Sequence, residues 1–572
     1  MLRFFRGRRR RLCIQRDLTS QSNLSEILME AQYARGKLMW ASFLTLVASG
    51  VGFAVRTAMG GIWEREFGIG GGDFGAILGA GFLGFGLMIF FGGIFVEALG
   101  YKKLLIIAFV GHLASAAMLF LATPMFEGWQ ESDPENATKN VIQLLYWSTF
   151  IYSICQGLYE AVINPMIAQL YPEDQTHYLN ILHAGWPGGM IIGGLFAACF
   201  VGDNAWIATL PWTICLASFA IIVIAYGVIA IPCKFPETAT ASTGGNFGKT
   251  FSCFASLPFL VLIVMHGLIG YMELGVDSWM AKLMENLVPN AIIVLVYTSA
   301  LMFVLRFFAG PIVHKINPIG LLLASSVIAA LGLLWLGSPV ASSGIVMIFV
   351  AATFYSFGKA FLWPTMLAVA GERYPQCGAV AMGALGAAGM ITVGQIGGAR
   401  IGTQQGYAMS QALEENAPET FARYASDETA SGFGMEFKPL IPERLNAANG
   451  TELEDGKPAN TDNFTNAALL SDEDKTLLIA HADADVPAVQ DAYLAGGRKA
   501  LTWTAAIPGG MCVGFLILAL YYKSAGGYKV LKLDESGNVV EDDGHHSSGD
   551  GGGSGESSDA SAEGGDTPEP AS

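Results

Sequence analysis

Three polar side chains recur at helical spacing within an otherwise apolar stretch of the sequence. Gln156, Glu160 and Asn164 are each four residues apart, which places them on one face of a helix. Because ionisable groups are costly in apolar surroundings, such a stripe is expected to face an internal cavity. Glu160 could then take up and release a proton, while Gln156 and Asn164 contact a substrate. A structural ion pair with a neighbouring helix is the alternative for Glu160.

Four further charged residues interrupt apolar stretches. Arg56 stays protonated, so it requires a carboxylate partner or an anionic substrate. Glu273 and Asp277 are four residues apart and would repel each other, so one is protonated or a cation bridges them. We expect Glu273 to face the cavity as a second proton-coupling group, and Asp277 to lie at the outer end of its helix. Lys359 could bind an anionic group or pair with a carboxylate.

Three ring side chains complete the candidates for substrate contact. His183 could relay protons or donate a hydrogen bond to a hydroxyl group, and the flat faces of Trp186 and Trp363 suit stacking against a sugar ring, with ordinary packing as the alternative. The sequence contains no His/Cys cluster with metal-ligand spacing, no Walker loop and no nucleophile–base set. We therefore expect no metal, no cofactor and no enzymatic activity.

The elements that must position these residues are membrane helices. Of the 572 residues, 52% are hydrophobic and only 14% are charged, which is too few charges to cover a water-facing surface. This excludes a soluble enzyme, a nucleic-acid binder and a secreted disulfide scaffold. Twelve stretches have the ~20 mostly apolar residues that a transmembrane helix needs. They are 38–62, 74–97, 104–123, 142–169, 180–201, 205–231, 257–280, 290–313, 318–338, 343–370, 378–401 and 501–522.

Basic residues indicate how the helices are oriented. The first 37 residues contain nine Lys and Arg, and loops on the same predicted side carry further Lys, whereas the short loops opposite are nearly free of them. The positive-inside rule then places both termini in the cytoplasm. We expect a multi-pass protein of the plasma membrane, in a bacterium the inner membrane.

The two halves of the chain resemble each other. Residues 160–165 match residues 359–364 at an offset of 199, and the Tyr-Pro pair at 171–172 recurs at 374–375. Two related bundles with a substrate site between them are the architecture of many secondary transporters. The fold class that follows is an all-α membrane protein with twelve transmembrane helices in two pseudo-symmetric six-helix bundles.

The segments outside the membrane explain the net charge of −16. The insert at 403–499 carries a charge of −10 and the tail at 524–572 a charge of −9, while the first 37 residues carry +6. The tail has too few apolar residues to fold. The predicted divisions are a cytoplasmic basic tail (1–37), a first six-helix bundle (38–232), a cytoplasmic loop (233–254), helices 7–11 (255–402), an extracytoplasmic acidic insert (403–499), helix 12 (500–523) and a disordered cytoplasmic tail (524–572).

The loop after the second helix resembles the loop signature of the major facilitator superfamily, Gly-x-x-x-Asp-Arg/Lys-x-Gly-Arg/Lys-Arg/Lys. Its counterparts here are Gly93, Glu97, Gly100, Lys102 and Lys103. An eroded equivalent after the eighth helix begins at Gly310 and is preceded by Arg306. The resemblance implies a gating loop in which a carboxylate pairs with a basic group in one conformation only. Plain anchoring by positive charge is the alternative for the two lysines.

Three stretches are similar to the fucose:proton symporter family within that superfamily. Glu160 to Pro165 and Leu179 to Pro187, including Asn180, resemble its helices 4 and 5, Tyr271 to Trp279 its helix 7, and Phe361 to Thr365 its helix 10. The resemblance implies proton coupling at Glu160 and a substrate site that includes Asn180. The chain departs from the family at Thr57, near the place of a helix 1 carboxylate, and at His183 and Trp186, which replace Gln and Asn.

These observations predict a secondary transporter that works by alternating access, with proton-coupled uptake of a sugar or sugar-derived organic anion. Its partners are a small-molecule substrate, protons and the lipid bilayer, without nucleic acid, and it is expected to be a monomer. Two alternatives stay open. One is an exporter or exchanger of amphipathic or anionic metabolites. The other is a non-transporting membrane receptor that uses the external insert.

Overall fold

The part of the protein that the structure describes is mostly helical. The computed structural model describes residues 33–67, 69, 71–201, 205–238, 249–284, 287–288, 292–465, 467, 470–534 and 538–541. The first half contains α1 (Arg35–Thr57), α2 (Gly60–Phe67), α3 (Gly71–Leu99), α4 (Tyr101–Ser132), α5 (Ala137–Leu170), α6 (Gln175–His183), α7 (Gly185–Phe200), α8 (Trp212–Ala217) and α9 (Phe219–Ala230). The second half contains α10 (Leu257–Gly270), α11 (Val276–Leu283), α12 (Ile292–Phe307), α13 (Gly310–Val313), α14 (Pro318–Leu336), α15 (Ile345–Lys359), α16 (Leu362–Arg373), α17 (Gly378–Thr392), α18 (Gly398–Asn416), α19 (Pro418–Tyr424), α20 (Pro442–Asn449), α21 (Asp462–Thr465), α22 (Asp472–Thr504) and α23 (Ala506–Ser524).

Each of the twelve predicted segments overlaps one helix or two successive helices, although several helix ends differ from the predicted ones. Ten helices in the described ranges are long and apolar enough to cross a membrane by length and composition. The other two predicted spans are not among these ten helices. Helix α12 is shorter, and α5, which carries the polar stripe, is not among the ten. The predicted all-α membrane fold is confirmed.

The helices form two bundles that meet along a central interface. Within the first bundle α5 packs against α3 and α4, and α1 packs against α7; within the second, α14 packs against α15 and α23, and α10 against α17. Contacts between the bundles join α3 to α17, α7 to α12 and α6 to α16. We call the face with residues 33–36, 231–238 and 524–541 the terminal face, and the opposite face, with the insert, the insert face.

The insert at 403–499 is a folded unit, and the two membrane helices on either side of it continue into it. Helix α18 runs on to Asn416 and α22 begins at Asp472, so both ends of the predicted insert are helical continuations. Two short hairpins and α19 to α21 lie between them; the strands are β1 (Ala430–Gly432) with β2 (Met435–Phe437) and β3 (Leu453–Glu454) with β4 (Lys457–Pro458). The insert has its own hydrophobic core, separate from that of the bundles.

An ion pair between a partly exposed arginine and a buried aspartate anchors α19 to α22 inside the insert. Arg423 forms a salt bridge with Asp485, which is fully buried and also accepts a hydrogen bond of 2.7 Å from Thr420. The hydrogen bonds with Asp485 raise the pKa of Arg423. Loss of Arg423 would be costly, because the buried carboxylate of Asp485 would be left without a cation.

Part of the tail that composition predicted to be disordered is folded. Residues Leu531–Leu533 (β5) pair with Val539–Glu541 (β6) in an antiparallel hairpin. Tyr528 donates a hydrogen bond of 2.6 Å to Glu372, and Arg373 donates one of 2.6 Å to the carbonyl of Lys529. The prediction was wrong for this stretch because contacts with α16, rather than a core of its own, hold it in place. Residues 542–572 and 1–32 lie outside the described residues.

Candidate functional site

A small cavity lies between the two bundles at the centre of the molecule. It has a volume of about 20 Å³, which is room for about one water molecule. Five residues predicted from the sequence meet there, together with Arg306. The lining residues are Phe85, Glu160, His183, Trp186, Glu273, Leu274, Arg306, Trp363 and Met390.

Glu160 belongs to a hydrogen-bonded chain that leads from the first bundle towards the second. Asn164 donates to Oε2 of Glu160 at 3.4 Å, and Nε2 of His183 lies 3.0 Å from Oδ1 of Asn164. Glu160 is 4% exposed. Among the residues that the structure describes, no Lys or Arg forms an ion pair with it.

Arg306 occupies the centre of the molecule. It is 1% exposed, and its Nη2 donates to Oε1 of Glu273 at 2.6 Å. The prediction that Arg306 belongs to a gating loop with Gly310 is therefore wrong. Helix α12 is still inside the bundle at Arg306 and is followed at once by α13, so the exposed loop begins only near His314.

Two prolines explain the rest of the Arg306 environment. A proline in a helix has no N–H, so the carbonyl four residues earlier loses its hydrogen bond. Pro187 frees the carbonyl of His183 and Pro364 frees that of Ala360. Arg306 donates to both, from Nη1 to His183 at 3.2 Å and from Nε to Ala360 at 2.5 Å. One guanidinium thus satisfies a helix break in each bundle and joins the two bundles.

The two acidic residues of the seventh predicted helix each have a basic partner. Nζ of Lys359 lies 2.5 Å from Oδ1 of Asp277, and both side chains are almost fully buried. Glu273 pairs with Arg306. The predicted protonation or shared cation is thus wrong, because each carboxylate has its own cation. Asp277 is 2% exposed, so it does not lie at the outer interface, and Lys359 takes the carboxylate partner that was one of its alternatives.

A π-helical turn places Glu273 opposite Arg306. Residues Tyr271–Gly275 form such a turn between α10 and α11, and it packs against a second one at Val393–Gly397 between α17 and α18. Single π-turns inside helices are frequent at functional sites. Helical periodicity in the sequence gave no sign of them, since it assumes an unbroken α-helix.

Arg56 and Gln156 form a second polar group on the insert-face side of the cavity. The guanidinium of Arg56 lies 4.3 Å from the ring centre of Tyr152, and its Nη1 donates to the carbonyl of Gly52 at 3.3 Å. Nε and Nη2 of Arg56 and Nε2 of Gln156 are buried without a hydrogen-bond partner in the described part of the chain. Neither Arg56 nor Gln156 lines the cavity in this conformation, so the structure does not bring these two predicted substrate-binding residues into it.

Three other predicted residues have different surroundings. Asn180 donates to the carbonyl of Thr176 on its own helix at 2.8 Å and does not line the cavity. Trp186 and Trp363 both line it, and Trp363 lies edge to face with His266 at 4.4 Å. The cavity therefore has an indole on each side, one from each bundle.

The predicted gating loop lies on the terminal face, where the bundles touch. A Cβ at Gly93 would lie 2.8 Å from the carbonyl oxygen of Ala379, so only glycine allows this approach of α3 to α17. Gly100 has a φ of +78° at the junction of α3 and α4, which also favours glycine. Lys102 donates to the carbonyl of Cys233 at 3.1 Å, and Lys103 is exposed. Glu97 accepts hydrogen bonds from Thr238 and from the backbone of Ala379.

Two further side-chain contacts join the bundles on the terminal face. His314 of the second bundle lies 2.6 Å from Asp174 of the first. Thr176 of the first bundle donates to Glu372 of the second at 2.8 Å, and the other oxygen of Glu372 accepts from Tyr528. The folded part of the tail therefore stabilises the contact between Thr176 and Glu372, which joins the bundles.

Loss of the Thr176–Glu372 hydrogen bond should open the terminal face more often. We expect Thr176→Val to raise the rate at which the buried thiol of Cys377, on this face, is alkylated by N-ethylmaleimide, measured by mass spectrometry. Thr123→Val is the matched control, because Thr123 makes the same kind of bond, 2.6 Å to Glu66, within the first bundle. Equal alkylation rates in both variants would contradict this role for the contact.

Comparisons with known proteins agree with this architecture. The sequence model of the Major Facilitator Superfamily matches residues 41–398. No curated protein sequence matches the chain.

Several solved structures are similar in fold. The proton:xylose symporter XylE, solved with 6-bromo-6-deoxy-D-glucose, aligns with a TM-score of 0.52 and 15% identity over 67% of this chain and 90% of its own. FucP in the outward conformation, the fucose:proton symporter of E. coli, aligns with a TM-score of 0.50 and 18% identity over 65% and 91%. A bacterial homologue of the human lysosomal transporter Spinster, inward-facing and unoccupied, gives 0.51 and 13% over 84% and 96%. At these identities the likeness concerns the fold alone.

Proposed function

The chain belongs to the major facilitator superfamily, and from this membership we propose that it couples the inward movement of protons to the uptake of a sugar or sugar-derived organic anion. In this proposal the two bundles rock against each other and expose the central cavity to one side of the membrane at a time. The terminal face is cytoplasmic and the insert extracytoplasmic, as the basic N-terminal residues favour. The protein works as a monomer in the plasma membrane.

The observation that carries the proposal is the environment of Glu160. It is buried at the cavity wall, and it is the one carboxyl group of the cavity lining without a basic partner in the described residues. Such a group gains a proton readily when it faces an acidic compartment and loses it when water and a higher pH reach it from the other side.

Glu160 is also connected to the interface between the bundles. When it is protonated, its carboxyl group becomes a donor as well as an acceptor, and the hydrogen bond from Asn164 weakens because the acceptor loses its charge. Asn164 contacts His183, whose carbonyl binds Arg306 of the second bundle. Proton binding in the first bundle therefore alters a hydrogen-bonded chain that ends at Arg306, the residue that joins the two bundles.

The substrate site is formed by the same cavity in its open state. In the closed conformation the cavity has room for about one water molecule, so substrate enters only when the bundles part. Trp186 and Trp363 then present flat faces from opposite sides, and Gln156, Asn164 and His183 offer hydrogen bonds. Asn180 supports α6 through its own backbone contact rather than by touching the substrate.

The direction of transport decides between uptake and the exporter or exchanger. Purified protein in proteoliposomes is given a pH gradient, acidic on the insert-face side, with labelled hexoses and hexuronates outside. Accumulation inside that collapses with a protonophore is the result expected for a symporter. Efflux driven by the same gradient would contradict uptake.

Deletion of the insert separates a transporter from a receptor. We expect a variant in which residues 417–471 are replaced by a short Gly/Ser linker to retain most of its transport rate, because the insert has a separate core and the cavity lining lies in the bundles. Helices α18 and α22 remain intact in this design, since they end and begin at Asn416 and Asp472. Loss of all transport by a variant with wild-type thermal stability would contradict the proposal and favour a function of the insert itself.

A further inference from the structure

The buried charges of the membrane core balance. Away from the terminal face and the insert, six charged side chains in the described helices are at most 4% exposed. Three are basic and three are acidic, so their formal sum is zero. They are Arg56, Glu160, Glu273, Asp277, Arg306 and Lys359.

Four of these six residues form two ion pairs, and two residues are left over. Glu273 pairs with Arg306, and Asp277 pairs with Lys359. Arg56 and Glu160 remain, and they do not contact each other. Arg56 lies over Tyr152, which is two helical turns from Glu160 on α5, or about 12 Å along the helix. One cation and one acid thus remain available for ligands.

The unsatisfied polar atoms indicate what kind of ligand fits. Those near Arg56 and the cavity in the first bundle are donors, namely Nε and Nη2 of Arg56, Nε2 of Gln156 and Nε1 of Trp186, whereas two acceptors of this bundle, Oε1 of Gln175 and Oδ1 of Asn180, lie on α6. On the second bundle they include the acceptors Oε2 of Glu273 and Oδ2 of Asp277. A ligand that satisfies both sides has an acceptor-rich end for the first bundle and hydroxyl donors for the second.

We propose that the transported substrate is a polyhydroxylated monocarboxylate whose carboxylate binds Arg56, and that it moves together with one proton on Glu160 without net transfer of charge. This inference rests on the proposed function and specifies its substrate class. Arg56 is suited to the task because a guanidinium binds a carboxylate with two parallel hydrogen bonds.

The charge balance explains why proton and anion must move together. In the empty state Arg56 is positive and Glu160 negative, so the core is neutral in sum. In the fully loaded state Glu160 is protonated and the anion offsets Arg56, so the core is neutral again. With only one ligand bound it has a net charge, and a net charge enclosed in the low-dielectric interior is unfavourable. The bundles therefore change orientation when both ligands are bound or both are absent.

The other titratable groups around these two residues are histidines and tyrosines, together with Arg306, which is already paired with Glu273. His183 on α6 and Tyr159 on α5 lie near Glu160, with Arg306 of α12 as the nearest charged group of the second bundle. His112 on α4 and Tyr152 lie near Arg56. Each is enclosed by neighbouring side chains.

The test separates the two components of the proton gradient. Wild-type protein in proteoliposomes is given either a pH gradient at zero membrane potential, or a potassium–valinomycin diffusion potential at equal pH. The probes are D-glucuronate and D-glucose, which differ at C6 only, in a panel with D-galacturonate and D-galactose. We expect the pH gradient to drive uptake of a hexuronate and the membrane potential to have no effect on that uptake. The neutral partner should not be accumulated.

Two variants localise the anion. Arg56→Gln should raise the KM for the hexuronate about tenfold or more, since it removes a charge-assisted bond, and Arg56→Lys should restore part of the affinity. Arg400→Gln is the matched control, because Arg400 is a partly buried arginine of the second bundle, on α18, and has no part in the proposed anion site.

The outcomes are distinguishable from failure of the proposed function. Uptake of a neutral hexose that is driven by both gradients, and lost in Glu160→Gln, would overturn the electroneutral anion transport and leave proton-coupled sugar transport standing. An unchanged KM in Arg56→Gln would overturn the role of Arg56. Absence of uptake under a pH gradient for every probe would count against the proposed function as well.

Discussion

Replacement of Glu160 by glutamine is expected to abolish substrate accumulation driven by a pH gradient. The amide has nearly the same shape as the carboxyl group but cannot bind and release a proton, so the energy of the gradient is no longer coupled to the substrate. Exchange of labelled for unlabelled substrate across the membrane needs no change in protonation, so counterflow should persist in part. Uptake of a labelled hexose or hexuronate into proteoliposomes measures both activities.

A matched variant controls for the loss of a buried carboxylate. Glu66→Gln removes a partly buried carboxylate that accepts a hydrogen bond of 2.6 Å from Thr123, away from the cavity, and it should leave gradient-driven uptake unchanged. If Glu160→Gln still accumulates substrate against its gradient, Glu160 is not the coupling site. If it loses counterflow as completely as uptake, while Glu66→Gln does not, Glu160 acts in substrate binding or folding instead.

Replacement of Arg306 by methionine should destabilise the protein by about 3–5 kcal/mol, the cost of leaving one partner of a buried ion pair alone. Glu273 would lose its only ion-pair partner among the described residues, and the carbonyls of His183 and Ala360 would have no donor. The thermal unfolding temperature of the purified protein in detergent is the measurement. Lys282→Met, which removes an exposed charge on α11, should change it little.

A double variant isolates the charge from the packing. Glu273→Met combined with Arg306→Met replaces the pair by apolar side chains, and such replacements are often neutral or stabilising. We therefore expect the double variant to recover much of the stability that Arg306→Met loses, with the remainder reflecting the two carbonyls. A double variant as unstable as the sum of its single changes would show that Glu273 and Arg306 are not energetically coupled.

Sequence periodicity identified the polar stripe well because the physics behind it is local. Charged and amide groups four residues apart share a helix face, and an apolar environment allows few positions for that face. Glu160 accordingly lines the cavity, and Asn164 links it to His183. The similarity to the major facilitator superfamily is confirmed by the match over residues 41–398.

Local sequence patterns could not predict which charged residues form ion pairs between distant helices. The partners of Asp277 and Glu273 lie 82 and 33 residues away in the chain, so the short spacing between the two carboxylates suggested a repulsion that does not occur. Arg306 was assigned to a loop by motif position alone. The sequence does contain a signal for a buried donor near the two helix breaks, because Pro187 and Pro364 each leave a carbonyl without its helical hydrogen bond. That signal does not indicate which residue supplies the donor.

The central claim is that Glu160 is a buried carboxyl group that binds and releases a proton during transport. The most direct test is a pH-difference infrared spectrum of the purified protein, which records the carbonyl stretch of protonated carboxylic acids. We predict a band from a buried carboxylic acid that appears as the pH is lowered in the wild-type protein and is absent from Glu160→Gln. A band of equal intensity in Glu160→Gln, or none in the wild-type protein at any pH at which it stays folded, would contradict the claim.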